Sequence, residues 1–295
     1  MTPPQPAPNP LKVTGDTTLG LFLRLGFFAF TVFLAVHYLI PLLYLFFGLQ
    51  IAGTIGLAAA GLGANVLTLA IFDRRPFADI GLRLERASGN HFLLGLVLGG
   101  GAGALLLTAP LLVGVGHLTP RPHSEFTWPS LAFYLITIFF AAAGEEMIFR
   151  GYAFQCLVEK IGPFAAVLPI GVLFGLVHTS NPNANSLGIL NTVLWGVLLG
   201  CAFLRSHDLW LPIGMHFGWN AVLPLFGVNL SGLTIEVTRY FYKWDLSPLW
   251  SGGAYGPEGG LLTTIFAGIL FFVVYRAPVR PQQAAIAVCL NEPES

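Results

Sequence analysis

Charge is what this chain has least of. Lys and Arg number 14, Asp and Glu another 14, or 9% of 295 residues, where a soluble domain carries about 25%. The two signs cancel, so there is no basic surplus to neutralise phosphates, which excludes a nucleic-acid binder. Cysteine is scarce too. Cys156, Cys201 and Cys289 are scattered, odd in number and form no CxxC, which excludes a disulfide framework and a zinc ribbon. Residues 1–18 carry a Pro-rich tract but neither the basic start nor the cleavage site of a signal peptide, and are expected to be a disordered tail.

Hydrophobic residues, by contrast, make up 55% of the chain. Uncharged stretches run over 25–72, 87–120, 126–144, 161–204, 209–235 and 259–275. A bilayer-spanning helix needs about 20 apolar residues, so the first and fourth stretches hold two spans each and the others one. The chain is therefore expected to be all-α, a polytopic membrane protein with about eight transmembrane helices. The spans fall near 20–42, 47–72, 91–116, 130–158, 163–179, 187–204, 209–228 and 260–275. Loops on one side hold Lys12, Arg74, Arg75, Arg83, Arg86, Lys160, Arg205, Arg276 and Arg280, against Arg121, Arg239 and Lys243 on the other. Positive loops stay inside, which predicts cytoplasmic N- and C-termini. The domain layout is a tail (1–18), an eight-helix membrane domain (19–276) with its polar core at 144–220, and a cytoplasmic C-terminal tail (277–295). The outer loop 229–259, with Tyr240, Phe241, Tyr242, Trp244, Trp250 and Tyr255, suits interfacial anchoring. Gly95, Gly99, Gly103, Gly196 and Gly200 are spaced for close helix contact.

Ionisable groups inside a span are costly, and each is a functional candidate. The densest cluster is Gly144-Glu145-Glu146-Met147-Ile148-Phe149-Arg150. Four residues apart, Glu146 and Arg150 share a helix face and can pair, whereas Glu145 points about 100° away and has no built-in partner. His178 ends the fifth span. His216 and Asn220, also four apart, form a polar stripe on the seventh. If spans four and five turn at Ile161-Gly162-Pro163, Glu145 and His178 stand level. His216 reaches their height only if that hairpin projects into the cytoplasm, placing the site in the inner half of the bilayer. His37, His91, His117, His123 and His207 read as structural. A carboxylate, two histidines and an amide support hydrolysis in two ways. Glu145 and His178 can polarise a water while His216 and Asn220 meet the oxyanion. Alternatively Glu145, His178 and His216 can hold a catalytic Zn²⁺. HExxH, GxSxG and GxGD patterns are absent. A proton- or cation-coupled transporter using the same buried groups is the competing class, and a pseudoenzyme that binds transmembrane partners without cutting them is a third.

Glu145-Glu146-x-x-x-Arg150, Phe174-x-x-x-His178 and His216-x-x-x-Asn220 resemble the three motifs of the CPBP family, the CAAX proteases and bacteriocin-processing enzymes, also called Abi. The resemblance implies an intramembrane endopeptidase, in a bacterial cytoplasmic membrane, acting on a membrane-associated peptide or protein. It implies Glu145 and His178 as water activators, His216 and Asn220 as the oxyanion hole, and Glu146, Arg150 and Phe174 as supports. No cofactor is expected on this reading, with zinc the alternative; Asn220 is a poor zinc ligand and a good oxyanion donor.

Overall fold

Helical periodicity and near-absence of charge leave few options but helices that satisfy their own backbone. The computed structural model describes residues 18–122 and 125–282. All but Thr18 of the expected tail at 1–18 and most of the one at 277–295 therefore fall outside the described residues, as does His123. Helices α1 (Thr18–Leu34) and α2 (Ile40–Thr68) are joined by a π-helical turn at Ala35–Leu39. Inside α2, Gly48 at φ 75° kinks the run. Then follow α3 (Arg86–Leu112), α4 (Trp128–Arg150), α5 (Tyr152–Ile161), α6 (Pro163–Val177), α7 (Ser186–Ser206) and α8 (Trp210–Leu225). A short helix α9 (Pro248–Ser251) precedes α10 (Leu261–Arg276).

The chain is an all-α polytopic membrane protein in this architecture. Four helical runs among the described residues are long and apolar enough to cross a bilayer: Thr18–Asp73, Arg86–Leu112, Trp128–Ile161 and Ser186–Ser206. Pro163–Val177 and Leu261–Arg276 are shorter apolar helices. At about 1.5 Å per residue, the 15-residue α6 and 16-residue α8 fall short of a hydrocarbon core about 30 Å thick. Both end beneath the long segment 226–260, where expected spans 163–179 and 209–228 would have continued. Phe22, Leu45, Phe46, Leu93, Val97 and Phe164 are more than half exposed around the bundle, an apolar surface far larger than a soluble monomer carries.

Small residues set the closest contacts. Helices α3 and α8 run parallel: a Cβ on Gly99 would lie 1.9 Å from the Met215 carbonyl, and Gly95 and Gly103 face Leu211 and Trp219 in the same sense. Gly196 of α7 likewise rests on Gly171 of α6. At one end of the bundle, Arg24 pairs with Asp73 at 2.5 Å and Tyr152 at 2.7 Å. Nearby, Gln155 bonds the Ile80 carbonyl, and His91 meets Asp208 at 2.5 Å. The described C-terminal residues return to this end, where Gln282 donates to the Ser206 carbonyl. The opposite end holds a feature that hydropathy does not reveal. Strands β1 (Gly116–Pro120) and β2 (Tyr240–Trp244) pair antiparallel, and the buried Tyr242 hydroxyl donates to the Leu107 carbonyl. Tyr242 and Tyr255 are therefore packed inside, not spread at an interface; Tyr240, Phe241 and Trp250 do remain exposed.

Candidate active site

Helix α4 carries the acids. Gly144 presses this helix onto α2, where a Cβ would meet the Ala58 backbone nitrogen at 2.6 Å. The neighbouring positions then face α6, α7 and α8. The helix stops at Arg150 and restarts at Tyr152, so the expected continuous span 130–158 is broken at Gly151. Asn65 of α2 stitches the break: its amide donates to the Met147 carbonyl at 2.9 Å and its oxygen accepts from the Tyr152 N–H at 2.8 Å. Two backbone groups freed by the break are thus satisfied inside the protein.

Arg150 is fully buried. It donates to Glu146 Oε1 at 3.1 Å and to the Gly196 carbonyl at 2.6 Å, and lies 4.8 Å from the Phe174 ring centroid. Phe174 is a hub, with its ring 4.9 Å from His178 and 5.9 Å from His216. Glu146 has a second partner that helical arithmetic does not disclose, because His216 Nδ1 lies 2.9 Å from the same Oε1. A carboxylate shared between a guanidinium and an imidazole fixes the tilt of α8 against α4.

Glu145 differs in kind. Its Oε2 is buried with no hydrogen-bond partner, yet it lies 3.8 Å from His216 Nε2 and 4.0 Å from His178 Nε2. Both gaps exceed a direct hydrogen bond and suit one water at about 2.8 Å from each side. His178, at the C-cap of α6, has Nδ1 2.6 Å from the Phe174 carbonyl. A carbonyl accepts only, so Nδ1 carries the proton and, in the neutral ring, Nε2 presents a lone pair to Glu145. Asn220 follows His216 by one turn, half-buried, with its carbonyl accepting from Tyr134 at 2.6 Å. Glu145, His178 and His216 are therefore drawn together around Glu145 Oε2, with Glu146, Arg150 and Phe174 packed beside them and Asn220 on the adjoining turn; Glu146 Oε2 is likewise buried without a hydrogen bond.

Two imidazoles and a carboxylate are the donor types a catalytic zinc takes. As placed, however, the described residues contain no group of three His, Cys, Asp or Glu side chains that could hold a metal ion. The donor set fits a metal by type and not by spacing. An apolar groove of ≈ 490 Å³ between α2, α4 and α8, walled in part by Phe139 and Phe140, has Ala143 and Met147 as the α4 residues nearest Glu145. Each is two residues from Glu145, hence roughly 160° away round the helix, so the groove and the polar cluster are separate features.

Tyr134 and Asn65 are residues beside the cluster that the sequence pattern did not single out. A lone hydroxyl or amide in an apolar run has no spacing signature. Residues 126–222 match the family model described as Rce1-like, type II CAAX prenyl endopeptidase. The match runs from just before α4 into α8 and contains every member of the cluster. A curated relative, the uncharacterized protein YyaK of Bacillus subtilis (strain 168), is 24% identical over 131 residues. That match covers 43% of this chain and 44% of YyaK, so under half of either protein is compared.

Proposed function

We propose, on the premise that residues 126–222 belong to the CAAX-protease (CPBP) family, that this chain is an intramembrane endopeptidase using a water nucleophile. The observation that carries the reading is Glu145 Oε2, buried and without a hydrogen bond while two imidazole Nε2 atoms face it across one-water gaps. A water held between Glu145 and His178 gives up a proton to this pair as it attacks the peptide carbonyl. Negative charge then develops on the carbonyl oxygen. His216 and the Asn220 amide meet it, and the stored proton passes to the leaving amine as the C–N bond breaks.

Charge balance supports the division of labour. Glu145 and Glu146 against Arg150 leave one negative charge in a pocket shielded from solvent. The imidazolium form of His216 cancels it, with Nδ1–H on Glu146 and Nε2–H free to donate to an oxyanion. His178, with Nδ1 engaged by the Phe174 carbonyl, turns Nε2 toward Glu145, the position from which it can take the proton of a water held between them. The spacing favours the metal-free route, and no step here passes through an ion. The substrate class is a membrane-associated peptide or protein. The basic bias of its loops supports both termini inside, with the site in the inner half of the membrane; the family likeness supports a bacterial cytoplasmic membrane, with eight helical segments in it of which α6 and α8 reach only part of the way across. The test is cleavage of reporter peptides by purified protein, with Glu145→Gln as control. Equal cleavage by the two would sink the assignment.

A further inference from the structure

Outside the catalytic set, a half-buried carboxylate reaches the turn of α8 next to Asn220. Glu258 lies in the turn Pro257–Gly259, between β2 and α10. Its main chain is tied to α7: Asn191, itself fully buried, donates to the Glu258 carbonyl at 2.8 Å and the Gly260 carbonyl at 3.0 Å. The Asn191 oxygen accepts in turn from Thr264 at 2.7 Å. Held in this way, the carboxylate reaches α8, where Oε1 accepts from Trp219 Nε1 at 3.2 Å. Oε2 accepts from the Ser231 hydroxyl at 3.0 Å and from the Ser231 backbone N–H. Burial pushes the Glu258 carboxyl up, while the Ser231 and Trp219 donors and the nearby His178 pull it back toward ionisation.

Among the described residues, nothing hydrogen-bonds the Asn220 amide. Its aim is set by its backbone, and that backbone is gripped on two sides. Tyr134 holds the Asn220 carbonyl at 2.6 Å, and Glu258 holds the preceding residue, whose indole also stacks on Trp195 with centroids 4.7 Å apart. We propose that Glu258 is a positioning residue, which through Trp219 fixes the turn of α8 that aims Asn220 at the oxyanion. The proposal rests on the peptidase reading and adds to it a working part in the loop opposite the Arg24–Asp73 end. An oxyanion donor must be placed to within a fraction of an ångström, because misplacement by about 1 Å can cost about a hundredfold.

The experiment uses full-length protein in detergent, a cleavable reporter peptide, and the variants Trp219→Phe, Glu258→Gln, Asn220→Ala and Trp219→Phe/Asn220→Ala. Trp219→Phe keeps a ring in the core and removes the N–H, so it carries the test even if Glu258→Gln fails to fold. Expected is a fall in kcat of about tenfold to a hundredfold in Trp219→Phe with KM within about twofold. On top of Asn220→Ala, Trp219→Phe should cause no further fall, since the donor it aims is gone. In ¹⁵N-Trp-labelled protein, Glu258→Gln should move the Trp219 indole resonance. Losses that multiply in the double variant, a KM effect with kcat unchanged, or an unmoved indole resonance would each overturn the proposal. No cleavage by the wild type would sink the peptidase reading and this role together. Wild-type cleavage with multiplying losses sinks this role alone.

Discussion

His91–Asp208 and the Glu145–His178–His216 cluster are built from the same residue types and differ in what is left over. Asp208 is used up. One oxygen meets His91 at 2.5 Å, and the other caps α8 through the N–H groups of Trp210 and Leu211 at 3.1 and 3.2 Å. Glu145 has one buried oxygen with no partner and two imidazoles just out of reach. The Arg24–Asp73–Tyr152 cluster lies between the two: each of its three side chains meets another directly, while Asp73 Oδ2 is, like Glu145 Oε2, buried without a hydrogen bond. A buried carboxylate left a water's width from its bases costs stability, and a fold carries that cost where chemistry needs the space. Within this molecule the two carboxylates differ in pairing distance: Asp208 is bonded directly through both oxygens, whereas Glu145 Oε2 stands 3.8–4.0 Å from the two imidazole nitrogens that face it.

The comparison breaks first at Glu145. Glu145→Gln keeps the shape and removes the base, so turnover should fall by about 10²–10⁴-fold while the melting temperature stays close to that of the wild type. Peptide cleavage and a thermal scan on one preparation check both halves. If Glu145→Gln melts far lower with its activity kept, the cluster is structural after all. Glu146→Gln should behave in the opposite proportion. It strips the charge from a fully buried partner of Arg150 and His216, so it should cost about 3–5 kcal/mol of stability, with activity lost partly through unfolding. Glu146→Gln/Arg150→Met, which removes both charges, should recover part of that stability and little of the activity.

The hydropathy pattern shows the helices, and the spacing of Glu145, Glu146, Arg150, His178, His216 and Asn220 shows the cluster, because both are one-dimensional records of helical geometry. What spacing cannot carry is contact between distant segments. Nothing at Glu146 announces that it must serve His216 as well as Arg150, since that bond spans 70 residues and depends on Gly95 and Gly99 letting α8 settle against α3. Gly151 likewise looks like any glycine in an apolar run until Asn65 is seen to bridge the break. The β1–β2 pair escapes notice because five-residue strands beside apolar helices leave no run long enough to stand out. His91 and His117, read from the sequence as structural, are tied to Asp208 and Asp245 rather than to the Glu145 cluster.

A smaller effect sharpens the comparison from its structural side. Asp208→Ala removes a helix cap and the His91 pairing at once, and should cost about 2–3 kcal/mol. Measured at a temperature where the variant is still folded, kcat should change by less than about threefold, because His216 lies more than two turns of helix away. A hundredfold loss of kcat in folded Asp208→Ala would mean that the two clusters are not separate, and that the bottom of α8 is part of the catalytic apparatus.

The smallest expected effect is that of chelation, and it bears on what the open oxygen of Glu145 is for. Zinc bound at about 2.0–2.2 Å by nitrogen and oxygen ligands in tetrahedral array holds them roughly 3.3 Å apart. The observed separations from Glu145 Oε2 are 3.8 and 4.0 Å, which a bridging water spans without any movement of α4, α6 or α8. Helix α4 is held by Arg150 on the Gly196 carbonyl, α6 by Gly171 on Gly196 and α8 by Gly99 on Met215, so contraction around an ion would have to strain close-packed contacts. Exhaustive chelation should therefore leave turnover within about twofold of untreated protein, since the water route draws on no ion. Elemental analysis of the active protein should find well under one zinc per chain. Stoichiometric zinc whose removal and return track activity would replace the water-activating pair with a metal-bound hydroxide. It would leave hydrolysis in place and require Glu145, His178 and His216 to close by about half an ångström on binding.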